Sequence, residues 1–339
     1  MMKKVAIVNS KSFGKITDAY DELKKYFHVE FVNVPRDING KALSERLADF
    51  DFLVISATPY YSSDFFEYNQ RISVIVRHGI GIDNVDVEAA TIHGVLIVKV
   101  PGRYEREAVA EHTIGLIIAA LRKIKDAHAS LISGIWEDRI RYIGRELSSK
   151  TIGVIGFGNI GRRVAEILTK GFKARVIVYD PYVAAEEIKK EGAEPREFDE
   201  LLAEADIITL HCPLITETKF LINKDSIQKM KENVIIINTA RGQLIETKSL
   251  IDALIEKKIA YAALDVFEEE PIPPEHPLLK LDNVLLTPHI AAYTEESLIG
   301  MDKYVVKSLK DILNGIIPDG TVNVEVVGKS SRLAKILQK

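Results

Sequence analysis

Cysteine is almost missing from this chain: Cys212 stands alone among 339 residues, so no intramolecular disulfide and no cysteine-rich zinc site can form. A basic excess is missing too. Lys and Arg number 45 against 49 Asp and Glu, a formal net charge of −4, which leaves nothing to neutralise nucleic-acid phosphates or to seek an anionic membrane. Long hydrophobic runs are also wanting. The longest, Ile114 to Leu121, is far short of the roughly 20 residues that span a bilayer. The apolar run near the N-terminus, Val5 to Val8, is too short for a signal peptide. No His or Cys pair has metal-ligand spacing, so no metal is expected. The expectation is a cytoplasmic protein without nucleic-acid or membrane partners.

What is present is a soluble globular composition, 47% hydrophobic and 28% charged, with room for two domains. Short Val/Ile-rich runs alternate with longer amphipathic segments. In the first hundred residues they are KVAIV, VEFVNV, DFLVISA, SVIVRH and VLIVKV. From 151 onward they are TIGVIG, ARVIVYD, DIITLH, NVIIINTA, YAALDVF and NVLLTPH. Strands this apolar on both faces belong between helix layers. Two such series predict two α/β domains, each a doubly wound parallel sheet.

Between the series, Ala108, Val109, Ile114, Ile117, Ile118, Leu121 and Ile124 recur at helical spacing. One long linker helix is therefore expected over about 105–130, and it could also supply homodimer contacts. After TPHI a further helical pattern has no strand series to accompany it, and it must pack on a domain already built. The expected division is 1–102 with 293–339 as one domain and 103–292 as the other. The basic end of the chain, from 329 to 339, is expected as a surface tail or short helix.

Gly156, Gly158 and Gly161 form a G-x-G-x-x-G turn between a strand and a helix. The first allows a tight turn, the second lets backbone approach a pyrophosphate, and the third permits close helix–strand packing. The helix N-terminus offers free N–H groups to the phosphates. Asp180 follows nineteen residues after Gly161 at the next strand end, where a carboxylate suits adenosine ribose hydroxyls and repels a 2′-phosphate. NAD is thus favoured over NADP.

Ligands of open parallel sheets sit beyond the carboxyl ends of the strands. There the sequence carries His211 and Pro213 around Cys212, then Thr239, Ala240 and Arg241, then Asp265 with Glu270 beyond it, and His289. An Arg can grip a carboxylate with two hydrogen bonds. A His moves protons near neutral pH, and a carboxylate beside it fixes its tautomer.

These residues carry a family resemblance over nearly the whole chain. VIGFGNIG, HCPL, NTARG, LDVFEEEP, TPHIAAYT and RHGIGIDNVD together resemble the D-isomer-specific 2-hydroxyacid dehydrogenases. The resemblance implies a Rossmann-type NAD domain inserted in a flavodoxin-like substrate domain, the latter forming the other wall of the cleft. It implies Arg241, Glu270 and His289 as the catalytic trio. It also implies NAD contacts from Asn159, Ile160, Asp180, Thr239, Ala240, Arg241, Asp265 and the His289–Ala292 backbone, Ala291 and Ala292 included. Strand-end position adds Gly156, Gly158, Gly161, His211 and Pro213.

In the first domain Arg77, His78, Gly79, Ile80 and Gly81 follow a strand, and their freed backbone N–H groups could face a substrate carboxylate alongside Arg241. Arg77 resembles phosphoglycerate dehydrogenases more than glyoxylate reductases. The long C-terminal regulatory domain of some phosphoglycerate dehydrogenases is not in this sequence. The implied activity is NAD-dependent interconversion of a D-2-hydroxy acid and its 2-keto acid, D-3-phosphoglycerate among the candidates. Glyoxylate or hydroxypyruvate reduction is the alternative, and an NAD-sensing protein like the C-terminal-binding corepressors is the rival of another class. Formate-dehydrogenase-like chemistry is disfavoured, since that branch has Gln where Glu270 stands. His112 is expected as a packed interface residue and His276 as part of a surface loop.

Overall fold

The computed structural model describes residues 2–137 and 139–337; Met1 and the last two residues of the basic terminus lie outside the described residues. The chain divides into two compact units, Met1–Glu105 with Tyr293–Lys339, and Arg106–Ala292. Each is an α/β unit built on a wholly parallel sheet, as the strand pattern predicts.

The first unit holds β1 (Lys4–Val8), β2 (His28–Val32), β3 (Phe52–Ile55), β4 (Val74–Arg77) and β5 (Leu96–Lys99), in the order β2-β1-β3-β4-β5. Side chains alternate between the faces, and both faces are covered. On β1, Val5 and Ile7 enter one core while Ala6 and Val8 enter the other. The Val5 side is completed from far along the chain. The Glu295–Leu313 helix lays Met301, Tyr304, Val305, Leu309 and Ile312 against it, and Leu333 and Ile336 join them. The Thr294 hydroxyl caps that helix by accepting the Ser297 amide, and Glu295 and Glu296 sit in its first turn, where the helix dipole favours acid. The basic terminus is thus not a loose tail: residues Ser331–Leu337 form a helix with two side chains in the core.

The second unit holds β6 (Thr151–Ile155), β7 (Arg175–Tyr179), β8 (Glu194–Pro195), β9 (Ile207–Leu210), β10 (Val234–Asn238), β11 (Ile259–Leu264) and β12 (Val284–Leu286). Their order is β12-β11-β10-β9-β6-β7-β8. The chain runs outward from β6 to β8, then returns to β9 and runs the other way. The reversal lies between β6 and β9, which is where such sheets open a crevice for ligands. Only β8, two residues at the sheet edge, has no counterpart in the predicted series.

The single helix expected over about 105–130 divides in two, Arg106–Leu121 and Ile124–Ile132. The Leu121 carbonyl, which a continuing helix would give to residue 125, accepts the Arg145 amide at 3.1 Å. Lys123 then takes the left-handed conformation, φ +49°. The first helix buries Ala110, Ile114 and Ile117 in the unit's core; the second buries nothing.

Candidate active site

At the crevice the three glycines do different work. Gly156 has φ +92°, a conformation that disfavours side chains, and a Cβ there would press on the Cys212 backbone. A Cβ on Gly161 would overlap the Gly156 carbonyl oxygen, so glycine is needed for the helix to start this close. Gly158 differs: a Cβ would meet nothing within 4 Å. The space above the turn is open, and no side chain caps the Asn159–Glu166 helix that begins there. Asn159, Ile160 and Gly161 therefore present a first turn without a side-chain cap, which fits a pyrophosphate. Asp180 is held in place from below: one oxygen accepts the Phe157 amide at 2.7 Å, the other the Tyr182 amide at 2.9 Å.

His211 and Pro213 follow β9. Burial pushes the His211 imidazole down to about 3, so it is neutral, and its Nε2 pairs with the Thr209 hydroxyl at 2.9 Å. Burial likewise pushes the Cys212 thiol up to about 11, which removes it as a nucleophile. Among the described residues no group of three His, Cys, Asp or Glu could hold a metal.

Arg241 follows β10 on a loop that Asn238 ties down. The Asn238 side chain accepts the Ala240 amide at 3.0 Å and donates to the Arg241 carbonyl at 2.8 Å. Thr239 is turned inward, its hydroxyl 2.9 Å from that of Thr113. Arg241 Nη1 donates to the Ala240 carbonyl at 2.6 Å. The next residue, Gly242, lies against the backbone of Phe267 and Glu268, on the segment that leads to Glu270.

His289 Nδ1 lies 2.7 Å from Glu270 Oε2, with the imidazole half-exposed and the carboxylate partly so. Glu270 Oε1 accepts the Phe267 amide at 3.0 Å. Burial pushes the Glu270 carboxyl up. The His289 hydrogen bond and charge, the Phe267 amide and the Arg241 charge more than offset this, and the carboxyl is held below its usual range. A base fixed by a carboxylate, with a guanidinium charge acting on that carboxylate, is an arrangement for moving a proton beside a bound anion.

Two residues expected at the ligands have partners within the protein. Asp265 is fully buried. Its carboxylate accepts the Thr287 hydroxyl at 2.6 Å and the Ile290 and Ala291 amides at 2.9 and 2.8 Å, so it shapes the His289 loop from beneath. His78, expected at the substrate, turns into the first unit: its Nε2 lies 3.0 Å from Asp302 Oδ1, and the two side chains are 3% and 0% exposed.

The loop after β4 is also less open than the sequence suggests. Arg77 folds over Gly79 and donates to the His78 carbonyl. The Ile80 amide, a candidate substrate donor, is taken at 3.1 Å by the carboxylate of Glu105, itself only 6% exposed. Neither Glu105 nor His112 stands out in the sequence. His112 Nε2 lies 3.2 Å from the Thr287 hydroxyl and 3.6 Å from Asp265, so it belongs to the group beneath His289. Helical register alone gives no sign of that. His276 accepts the Leu278 amide and caps a short turn.

Residues 114–291 match the family model described as the D-isomer specific 2-hydroxyacid dehydrogenase, NAD binding domain. A D-3-phosphoglycerate dehydrogenase of Methanocaldococcus jannaschii is 44% identical over 305 residues, which cover 90% of this chain and 57% of that protein. The chain thus spans little more than half the length of that relative. A glyoxylate reductase of Aeropyrum pernix is 39% identical, with 91% of this chain and 94% of the relative covered. Among solved structures, a D-lactate dehydrogenase from Aquifex aeolicus complexed with NAD and lactic acid aligns with a TM-score of 0.83 at 28% identity, covering 96% of this chain and 98% of that one.

Proposed function

The chain belongs to the D-isomer-specific 2-hydroxyacid dehydrogenase family, and from that footing we propose that it interconverts a D-2-hydroxy acid and the corresponding 2-keto acid with NAD. The observation that carries this reading is the 2.7 Å pairing of His289 with Glu270 at a strand end that neighbours the Arg241 loop. NAD, when bound, supplies hydride in reduction and accepts it in oxidation.

The chain's own groups do the rest. The Gly156–Gly161 turn and the first turn of the Asn159–Glu166 helix would hold the pyrophosphate, and Asp180 the adenosine ribose. Arg241 would grip the substrate carboxylate through its planar fork. His289, protonated, donates from its ring to the carbonyl oxygen in reduction and takes the hydroxyl proton in oxidation. Glu270 holds the imidazole by Nδ1, which leaves Nε2 to face the substrate.

Two substrates are in contention. D-3-phosphoglycerate is favoured by the phosphoglycerate dehydrogenase from Methanocaldococcus jannaschii, the higher in identity of the two relatives described. Glyoxylate is favoured by the glyoxylate reductase of Aeropyrum pernix, 39% identical to this chain. NADH oxidation with phosphohydroxypyruvate, hydroxypyruvate, glyoxylate and pyruvate, ranked by kcat/KM, decides between them. Steady turnover with any of these supports the dehydrogenase reading. Stoichiometric NADH binding with no turnover on the whole panel would favour an NAD-sensing protein instead.

A homodimer is part of the reading. Ile124, Leu131, Ile132, Trp136, Ile140 and Ile143 are exposed over one stretch of the second unit, apolar side chains that a second copy would cover. Sedimentation of the wild type at twice the chain mass would support this. No helix of the described residues is long and apolar enough to cross a membrane; a cytoplasmic setting suits a chain with one cysteine.

A further inference from the structure

Consecutive residues of one helix reach two loops that carry proposed active-site residues. Thr113 meets Thr239, two residues before Arg241, at 2.9 Å. His112 meets Thr287, two residues before His289, at 3.2 Å. The second contact leads further. Thr287 has one hydroxyl hydrogen, and the 2.6 Å approach to Asp265 Oδ1 places it there. The Thr287 oxygen must then accept from His112, so Nε2 of His112 carries a hydrogen.

Asp265 is the centre of this group. It is fully buried, and its two oxygens hold the Ile290 and Ala291 amides that follow His289. Its own carbonyl accepts the His289 amide at 2.8 Å. His289 needs this support because its backbone is left-handed, φ +55°, a conformation non-glycine residues keep only when their surroundings enforce it. Among the described ion pairs, His112 at 3.6 Å is the only cation-capable group beside Asp265. A buried carboxylate that loses its partner does not keep the same hydrogen-bond geometry.

We propose that His112 is a positioning residue for His289, acting through Thr287 and Asp265 and touching neither substrate nor cofactor. The proposal rests on the reading of His289 as the proton donor. It assigns a role in the reaction to a residue whose position on an apolar helix suggests only packing.

The test uses His112→Leu, His112→Gln, Thr287→Val and the first and third combined, in the full-length enzyme with its best keto acid. Expected for His112→Leu is a fall in kcat of about tenfold with KM for the keto acid within twofold. His112→Gln, which keeps an N–H donor at a similar reach, should recover most of that loss. Thr287→Val should match His112→Leu, and the double variant should be no worse than either single, because both break one chain of contacts. Should His112→Leu fail to fold, Thr287→Val decides alone. A near-wild-type kcat in both single variants, with any change confined to the melting temperature, overturns the proposal. His289→Ala separates the two failures. If it is inactive while the His112 and Thr287 variants are normal, only the positioning role falls; if it turns over normally, the proton-donor reading falls and takes this role with it.

Discussion

Gly242 and Phe267 are in backbone contact, so close that a methyl group on Gly242 would fall inside the Phe267 carbonyl. The contact sets the Arg241 loop against the segment leading to Glu270, and Gln243 secures it by donating to the Glu268 carbonyl at 2.9 Å. Gly242→Ala should push the two segments apart. We expect a stability loss of about 1–3 kcal/mol from overpacking and a fall in kcat/KM of about a hundredfold from misplaced groups. Thermal unfolding and steady-state rates measure the two effects separately. A folded variant with wild-type kcat/KM would mean that Arg241 and Glu270 do not need this register.

Glu270→Gln tests the partnership with His289. The carboxyl of Glu270 is held below the ordinary value of 4.5, so the wild-type pairing is present at neutral pH and is lost only as pH falls through that lowered value. The acid limb of kcat/KM for reduction should accordingly lie below pH 4.5, and Gln, which does not titrate, should remove it. Reduction needs a protonated imidazole, and Gln takes away the negative charge beside it. At neutral pH a loss of about ten- to a hundredfold is expected. A profile that superimposes on wild type would remove Glu270 from the reaction.

Asp180 should set cofactor choice. A ribose 2′-phosphate near its carboxylate meets repulsion of about 1–4 kcal/mol per unit charge at 4 Å, depending on solvent exposure. Wild type should therefore prefer NADH by at least about tenfold in kcat/KM. Asp180→Ser should flatten the ratio, and part of the NADH loss will come from releasing the Phe157 amide that Asp180 also holds. Equal use of NADH and NADPH by the wild type would contradict the assignment.

Glu105 offers a separate probe of the loop after β4. Its carboxylate occupies the Ile80 amide, which the sequence offers as a donor to a substrate carboxylate, and like charges there would oppose each other. Glu105→Gln keeps an acceptor for the amide and removes the charge. KM for the keto acid should fall several-fold with kcat little changed. An unaltered KM would show that substrate does not use this loop.

These predictions draw unevenly on sequence and structure. The strands are readable because both faces are buried, and Val5 to Val8 or Val234 to Ile237 leave no polar interruption. The glycine turn, Arg241 and His289 are readable as candidates because each begins within three residues of a strand end. Glu270, six residues past β11, is singled out only by the LDVFEEEP motif. What escapes is set by partners far away in the chain. His78 follows a strand as Arg241 does, but Asp302, 224 residues later, takes it inside. His112 has an apolar helical context and a partner 175 residues distant. The break at Lys123 has no proline or glycine to announce it; the competing amide comes from Arg145. β8 is two residues long and carries no periodicity.

The first unit's core draws Val5 to Val100 together with Met301 to Ile336. A ribosome emits the first set about 200 residues before the second. At roughly 5–20 residues per second, the Val5 face of that sheet waits on the order of 10–40 s for the helix that covers it. The second unit has no such gap, since Arg106–Ala292 emerges without interruption. During synthesis the later-encoded unit therefore closes its core first, and the nascent chain carries an uncovered apolar sheet through that interval. That sheet is the surface a chaperone would meet.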